Sequence, residues 1–175
     1  MYGSPRKSKA PPLSDDKLRE LALRYVGRYA ASEAKLASYL TRKIRERGWD
    51  DDRPADPAAL AHEFAALGYV DDAALAGAKA RASVRKGHGK QRLSQDLYHA
   101  GISEDDARDA VQEAAENAWT AADNFARKRR IGPYANDAAD DVKKRKQFAA
   151  FMRAGHSFDV ARKFVDALPG EIIEE

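Results

Sequence analysis

Apolar residues along the 175-residue chain recur every three to four positions, and no stretch alternates apolar and polar residues as a strand of Val, Ile, Thr and aromatics would. The pattern predicts helices throughout, and local signals divide them. Ser14 stands where it would cap a helix running to about Tyr29. Ser32 precedes a second helix in which Leu36, Leu40 and Ile44 repeat until Gly48 ends it. After the loop DDRPADP, Asp56-Pro57 pairs a cap with a proline at the first helical position and opens a helix closed by Leu67-Gly68. Asp71 or Asp72 starts the next, which runs to about Arg85. Leu93 and Leu97 mark the apolar face of another, ending at Gly101. Ser103 with Asp106 resembles a capping box with Asp in place of Glu, and the helix it starts runs towards Ile131-Gly132-Pro133, with a break near Thr120. A last pair spans about 137–154 and 157–168, stopped by Pro169-Gly170.

The helices repeat. GISEDDARDAVQEA (101–114) and GHSFDVARKFVDAL (155–168) share Gly, Ser, Asp, Ala-Arg and Val in one register, at an offset of 54 residues. Each period holds three helices, the second ending in glycine and the third capped by serine. A looser first copy places Gly48 53 residues before Gly101. The expected fold is all-α, with about three tandem three-helix repeats stacked as an elongated, curved, right-handed or solenoid-like array. The expected divisions are a disordered basic leader (1–13), repeats at 14–70, 71–117 and 118–169, and an acidic tail (170–175).

Composition removes several functions. Without cysteine there are no disulfides and no thiolate metal sites. No apolar run is long enough for a membrane span, and the N-terminus lacks the apolar core of a signal peptide, so a cytoplasmic protein with no membrane partner is expected. Arg6, Lys7 and Lys9 account for the net charge of +3, which leaves the remaining chain neutral.

The segment RKGHGKQRL (85–93) superficially resembles a phosphate loop. The position five before Gly89 is Val84 instead of glycine, Lys90 is followed by Gln91 instead of Ser or Thr, and a helix precedes the turn where a strand is required. His62, His88, His99 and His156 have no metal-binding spacing, Asp71-Asp72 and Asp140-Asp141 fit helix starts, and no nucleophile elbow occurs. No catalytic residue, cofactor or metal is expected, and the chain does not read as an enzyme.

Charge distribution is more specific. No acidic residue lies between Asp72 and Asp96, an interval holding Lys79, Arg81, Arg85, Lys86, Lys90 and Arg92. Around the glycine turn, free backbone N–H groups and the N-terminus of the following helix would add to this charge in attracting an anion. Basic clusters recur at Arg42, Lys43, Arg45 and Arg47, at Arg127 to Arg130, and at Lys143 to Lys146. Such a series is either a set of solvated helix faces or a basic track for phosphates or an acidic protein surface. Aromatics suited to base stacking are sparse near these clusters: Tyr39, Tyr98 and Tyr134 are the candidates, and at helical spacing such residues are more often core or rim.

The residues LGYVDDAALAGAKARASVRKGHGKQRLSQDLYHAGIS (67–103) resemble the central signature of the RecX regulatory proteins. That signature has a Leu-Gly-Tyr-Leu/Val-Asp-Asp helix start, a basic helix, an R-x-G-x-G turn, and a leucine-spaced helix ending in Gly-Ile-Ser. Upstream, Arg28, Ser32, Leu36 and Leu40 match the family's first repeat. Lys79 and Lys35 depart from it, standing where tyrosine and glutamate are common, and the 49–56 loop is long. The resemblance implies tandem three-helix repeats in an elongated monomer. It also implies binding to the RecA recombinase and its filament on single-stranded DNA, with restraint of ATPase, strand-exchange and co-protease activity. DNA would be met within the filament and only weakly alone. The candidate contacts are Arg81, Arg85, Lys86, Lys90 and Arg92, with Arg42, Arg45, Lys143 and Lys144 on neighbouring repeats. Leu93, Leu97 and Tyr69 are expected to pack the repeat that presents them. The competing reading is a helical-repeat protein that binds nucleic acid without RecA.

Overall fold

A computed structural model describes residues 10–175, and among them the chain forms nine α-helices and one short 3-10 turn, with no strand. The fold is therefore all-α, built from three-helix sets, each around its own apolar cluster. Packing divides the chain into two compact units, one ending at Asp71 and the other running from Asp72 to Glu175. The expected disorder of the leader falls largely on residues 1–9, outside the described residues.

The first unit contains α1 (Asp15–Val26), α2 (Glu33–Arg47) and α3 (Pro57–Ala66). The four-residue spacing of Leu36 and Leu40 puts both side chains on one face of α2, where they are fully buried with Leu18, Ala22, Leu60, Ala61 and Phe64. Ser32 and Asp56 accept N–H groups of Lys35 (3.2 Å) and Ala59 (2.9 Å), so two helix starts are capped where the sequence placed caps. Ser14 has extended backbone, but its side chain makes no capping bond. The Arg19 guanidinium grips Glu63 through two bonds of 2.7 and 2.8 Å and also reaches Asp15, tying α1 to α3. These bonds, that to Glu63 foremost, raise its already high pKa further. Leu13, assigned by sequence to the leader, is fully buried. Its N–H reaches the Gly48 carbonyl at 3.0 Å, and its carbonyl accepts from Asp50 at 2.9 Å. Burial of this apolar side chain favours holding the segment against the first unit.

The second unit contains α4 (Asp72–Lys86), α5 (Lys90–Ala100), α6 (Glu104–Glu116), α7 (Ala118–Arg129), α8 (Asp141–Arg153) and α9 (Phe158–Asp166). Leu93 and Leu97 bury in one cluster with Ala76, Ala80, Ile102 and Ala107. Phe125, Phe151, Phe164 and Val165 form the other. The 54-residue offset is visible in three dimensions. Gly101 (φ +73°) and Gly155 (φ +87°) end the second helix of each set, Ser103 and Ser157 cap the third, and Ala107 and Ala161 are buried. The long helix expected from Ser103 breaks at Asn117, three residues before Thr120. The Asn117 backbone N–H keeps its helical bond to the Glu113 carbonyl at 3.1 Å, and its side chain donates to the same carbonyl at 2.8 Å, so the last turn of α6 closes on its own residue. The acidic tail folds back: Gly170 N–H meets the Pro133 carbonyl at 2.9 Å, and Ile173 packs on the second of these clusters.

Candidate partner-binding surface

The glycine turn joins α4 to α5 and is also a clamp between helix sets. Gly87 adopts φ +82°, and a Cβ there would lie 2.7 Å from the Phe125 backbone nitrogen of α7. Gly89 has an ordinary φ, so its need is for space. A Cβ on Gly89 would lie 2.2 Å from the Gly155 carbonyl oxygen. The N–H groups expected to be free here for an anion are instead engaged. Gly89 N–H donates to the Ala154 carbonyl at 2.8 Å and Gln91 N–H to the Gly155 carbonyl at 3.2 Å. The α8–α9 turn, 65 residues away, occupies the N-terminus of α5.

The last carbonyls of α4 are equally committed. Asn124 donates to Val84 at 3.1 Å and Lys128 to Arg85 at 2.6 Å. The buried His156 ring meets the Gly87 carbonyl at 3.0 Å through Nε2, which therefore carries the proton in the neutral ring. Burial pushes the His156 pKa below its ordinary value. The Gly87 contact opposes this and nearby His88 adds to it. His88, half-buried in the turn, is also shifted down, first by desolvation and then by Arg92, with Lys86 and Lys128 contributing. Both rings are neutral near pH 7, so neither adds charge to the surface, and the cations around them supply it.

Of the expected contacts, Arg85, Lys86, Lys90 and Arg92 are brought together around this rigid turn, with exposed side chains. Arg92 pairs with Asp96 at 3.3 Å. Arg85, Lys86 and Lys90 have no ion-pair partner among the described residues. Arg81 lies further back on α4 and reaches Glu113 at 3.8 Å. Lys128 from α7 joins the group. The sequence showed it only as part of the 127–130 basic run, because its approach depends on how α7 packs on α4. On α8, Lys143 is exposed, while Lys144 turns to Asp166 of α9 at 3.7 Å. Arg42 and Arg45 belong to α2 in the first unit, and Arg42 pairs with Glu46 at 3.7 Å.

One aromatic expectation changes. Tyr69, expected to pack the central repeat, is 53% exposed and its ring lies against Phe64 of the first unit. Tyr39 is stacked on Tyr25 with centroids 4.1 Å apart, a pairing between helices that spacing could not reveal. Tyr134 hydrogen-bonds Asp123 and has Arg127 over its ring at 4.5 Å. No group of three or more His, Asp or Glu side chains suited to a metal ion occurs among the described residues. None of the described helices is long and apolar enough to cross a membrane.

These features define an all-helical repeat protein whose central turn is locked by main-chain bonds and presents cations outward. A family model of the second three-helix domain of RecX matches residues 71–111. The regulatory protein RecX of Agrobacterium fabrum is 36% identical over 149 residues, covering 83% of this chain and 79% of its own length. That of Myxococcus xanthus is 32% identical over 165 residues, covering 87% and 86%. The chain belongs to the RecX family. The crystal structure of RecX from Lactobacillus salivarius shares the fold, with a TM-score of 0.60 and 18% identity over 86% of this chain and 94% of that one. A second RecX crystal structure has a TM-score of 0.57 at 22% identity, over 86% of this chain and 71% of that one.

Proposed function

We propose that this protein is a non-enzymatic regulator that binds the RecA recombinase and its filament on single-stranded DNA, and restrains ATPase, strand exchange and co-protease activity. Family membership supports the partner. The observation that carries the choice of surface is the set of unpaired, exposed cations Arg85, Lys86 and Lys90 on a turn whose backbone cannot relax without breaking bonds to α7 and the α8–α9 turn. A backbone already fixed beneath these cations spares the cost of ordering the loop on docking, and the cations attract an acidic or phosphate-bearing surface. Regulation then follows from differential affinity: binding one filament state more tightly than another shifts the population towards it. The three helix sets are read as three repeats at 14–70, 71–117 and 118–169, the middle one presenting the contact surface.

The test is RecA's DNA-dependent ATPase with increasing amounts of the protein, which is expected to fall with dose. The double variant Arg85→Ala/Lys90→Ala should retain its helical circular-dichroism signal and bind filaments about 5- to 30-fold more weakly, corresponding to about 1–2 kcal/mol for two rim charges. Unchanged binding by a folded double variant would remove this turn from the interface.

A further inference from the structure

Within the first unit, α1, the segment after it and α2 build a cleft of about 500 Å³ that combines aromatic rings with cations. Tyr25 and Tyr39 form its floor, half-buried and stacked 4.1 Å apart with an interplanar angle of 16°. Tyr29 follows one turn after Tyr25, held by its N–H on the Tyr25 carbonyl at 2.9 Å. Its ring tilts against Tyr25 at 5.3 Å and is 52% exposed. Arg24, Arg28, Arg42 and Lys43 line the same cleft. Arg42 and Lys43 lie 5.7 and 5.8 Å from the Tyr39 ring centroid. Glu20 pairs with Arg24, and Glu46 with Arg42 and Lys43, while Arg28 has no ion-pair partner among the described residues. Four cations against two carboxylates leave the cleft positive.

From this geometry we infer a binding site for single-stranded nucleic acid in the first unit: one unpaired base stacks on Tyr29, and the adjacent phosphates meet Arg28 and Arg42. The chemistry selects that ligand. The cations complement phosphate, and the open aromatic face accepts a base face that a duplex keeps stacked internally. Tyr39 has its faces taken by Tyr25 and the α2 cations, which leaves Tyr29 as the available platform. Its ring is already braced, so stacking costs little side-chain entropy. An acidic peptide would satisfy the cations but leave the exposed ring without a partner. The site stands apart from the RecA reading, because it needs no RecA to be occupied.

The experiment is fluorescence anisotropy of a labelled 12-nucleotide oligo-dT titrated with the full chain, without RecA, over a series of salt concentrations. Tyr29→Ala should weaken binding about 5- to 150-fold, while Tyr29→Phe, which keeps the stacking face, restores it to near the parent value. Arg28→Ala should lower the slope of log affinity against log salt by about 0.7, the contribution of one single-strand phosphate contact. Circular dichroism checks that each variant is folded; the exposure of Tyr29 and Arg28 favours this. Equal binding by parent and folded Tyr29→Ala, equal affinity for a duplex of the same length, or displacement of the oligonucleotide by an equal charge of polyglutamate would each overturn the site. Because the assay contains no RecA, its failure leaves the filament-binding proposal standing.

Discussion

Gly89 shows how a residue's reason can lie far from its neighbours in sequence. The glycine pair in RKGHGKQRL announces a turn, and Gly87, with its positive φ, is such a turn residue. Gly89 is constrained by the Gly155 carbonyl, a contact that local pattern cannot disclose. Its replacement by alanine should therefore cost more than a turn substitution. Gly89→Ala is expected to lower stability by about 1–3 kcal/mol or more, since backbone must move to admit the methyl group. Gly77→Ala, in the body of α4, should instead gain about 0.5–1 kcal/mol, because its Cβ would meet only the movable Arg81 guanidinium at 3.2 Å. Urea denaturation of both variants checks the contrast. Equal effects would mean that the clamp contributes little. At the same scale, the lysines and arginines of the basic interval were visible in the sequence. Their freedom from partners was not, because acidic residues distant in sequence decide which cations are neutralised: Glu113 faces Arg81, and Asp166 faces Lys144.

At the scale of elements, most helices were legible because their punctuation is chemical. Ser32, Asp56, Ser103, Asp140 and Ser157 all cap helices through their side chains. The break expected near Thr120 falls at Asn117, three residues earlier, because neither proline nor glycine marks its place. The tyrosine cleft was missed because Tyr25 and Tyr39 sit at spacings that also suit a helix core, and only the packing of α1 on α2 brings the rings together. The bond from His156 to Gly87 links the α8–α9 turn to the α4–α5 turn and has a pH signature. Its pKa is lowered in the folded protein, so the unfolded chain binds the proton more readily. The resulting stability is present above the unfolded pKa of about 6.5 and is lost as pH falls below it. Between pH 7 and 5 the unfolding free energy should drop, with a slope of at most about 1.4 kcal/mol per pH unit from this ring. His156→Gln should have a shallower profile, and chemical denaturation across that range measures both. An identical slope in the variant would assign the acid sensitivity to other groups.

For the molecule as a whole, neutral charge outside the leader argues against a generic DNA-binding protein, and the proposed contact surface rests on local charge instead. The repeat was readable from a shared Gly-Ser-Ala-Arg register. The contacts joining the central and third helix sets were not, because they run through main-chain carbonyls that any sequence provides. The proposed function has this RecX-family protein present a preorganised cationic turn to a filament surface. Cationic docking is screened by salt, and regulation of an assembled filament requires preference for that assembly over its parts. The most direct measurement is binding of the parent protein to RecA alone, to single-stranded DNA alone and to the RecA–DNA filament, each at a low and a high salt concentration. The account requires the tightest binding to the filament at both salts, with affinity falling as salt rises. Filament binding no tighter than binding to bare DNA would contradict it.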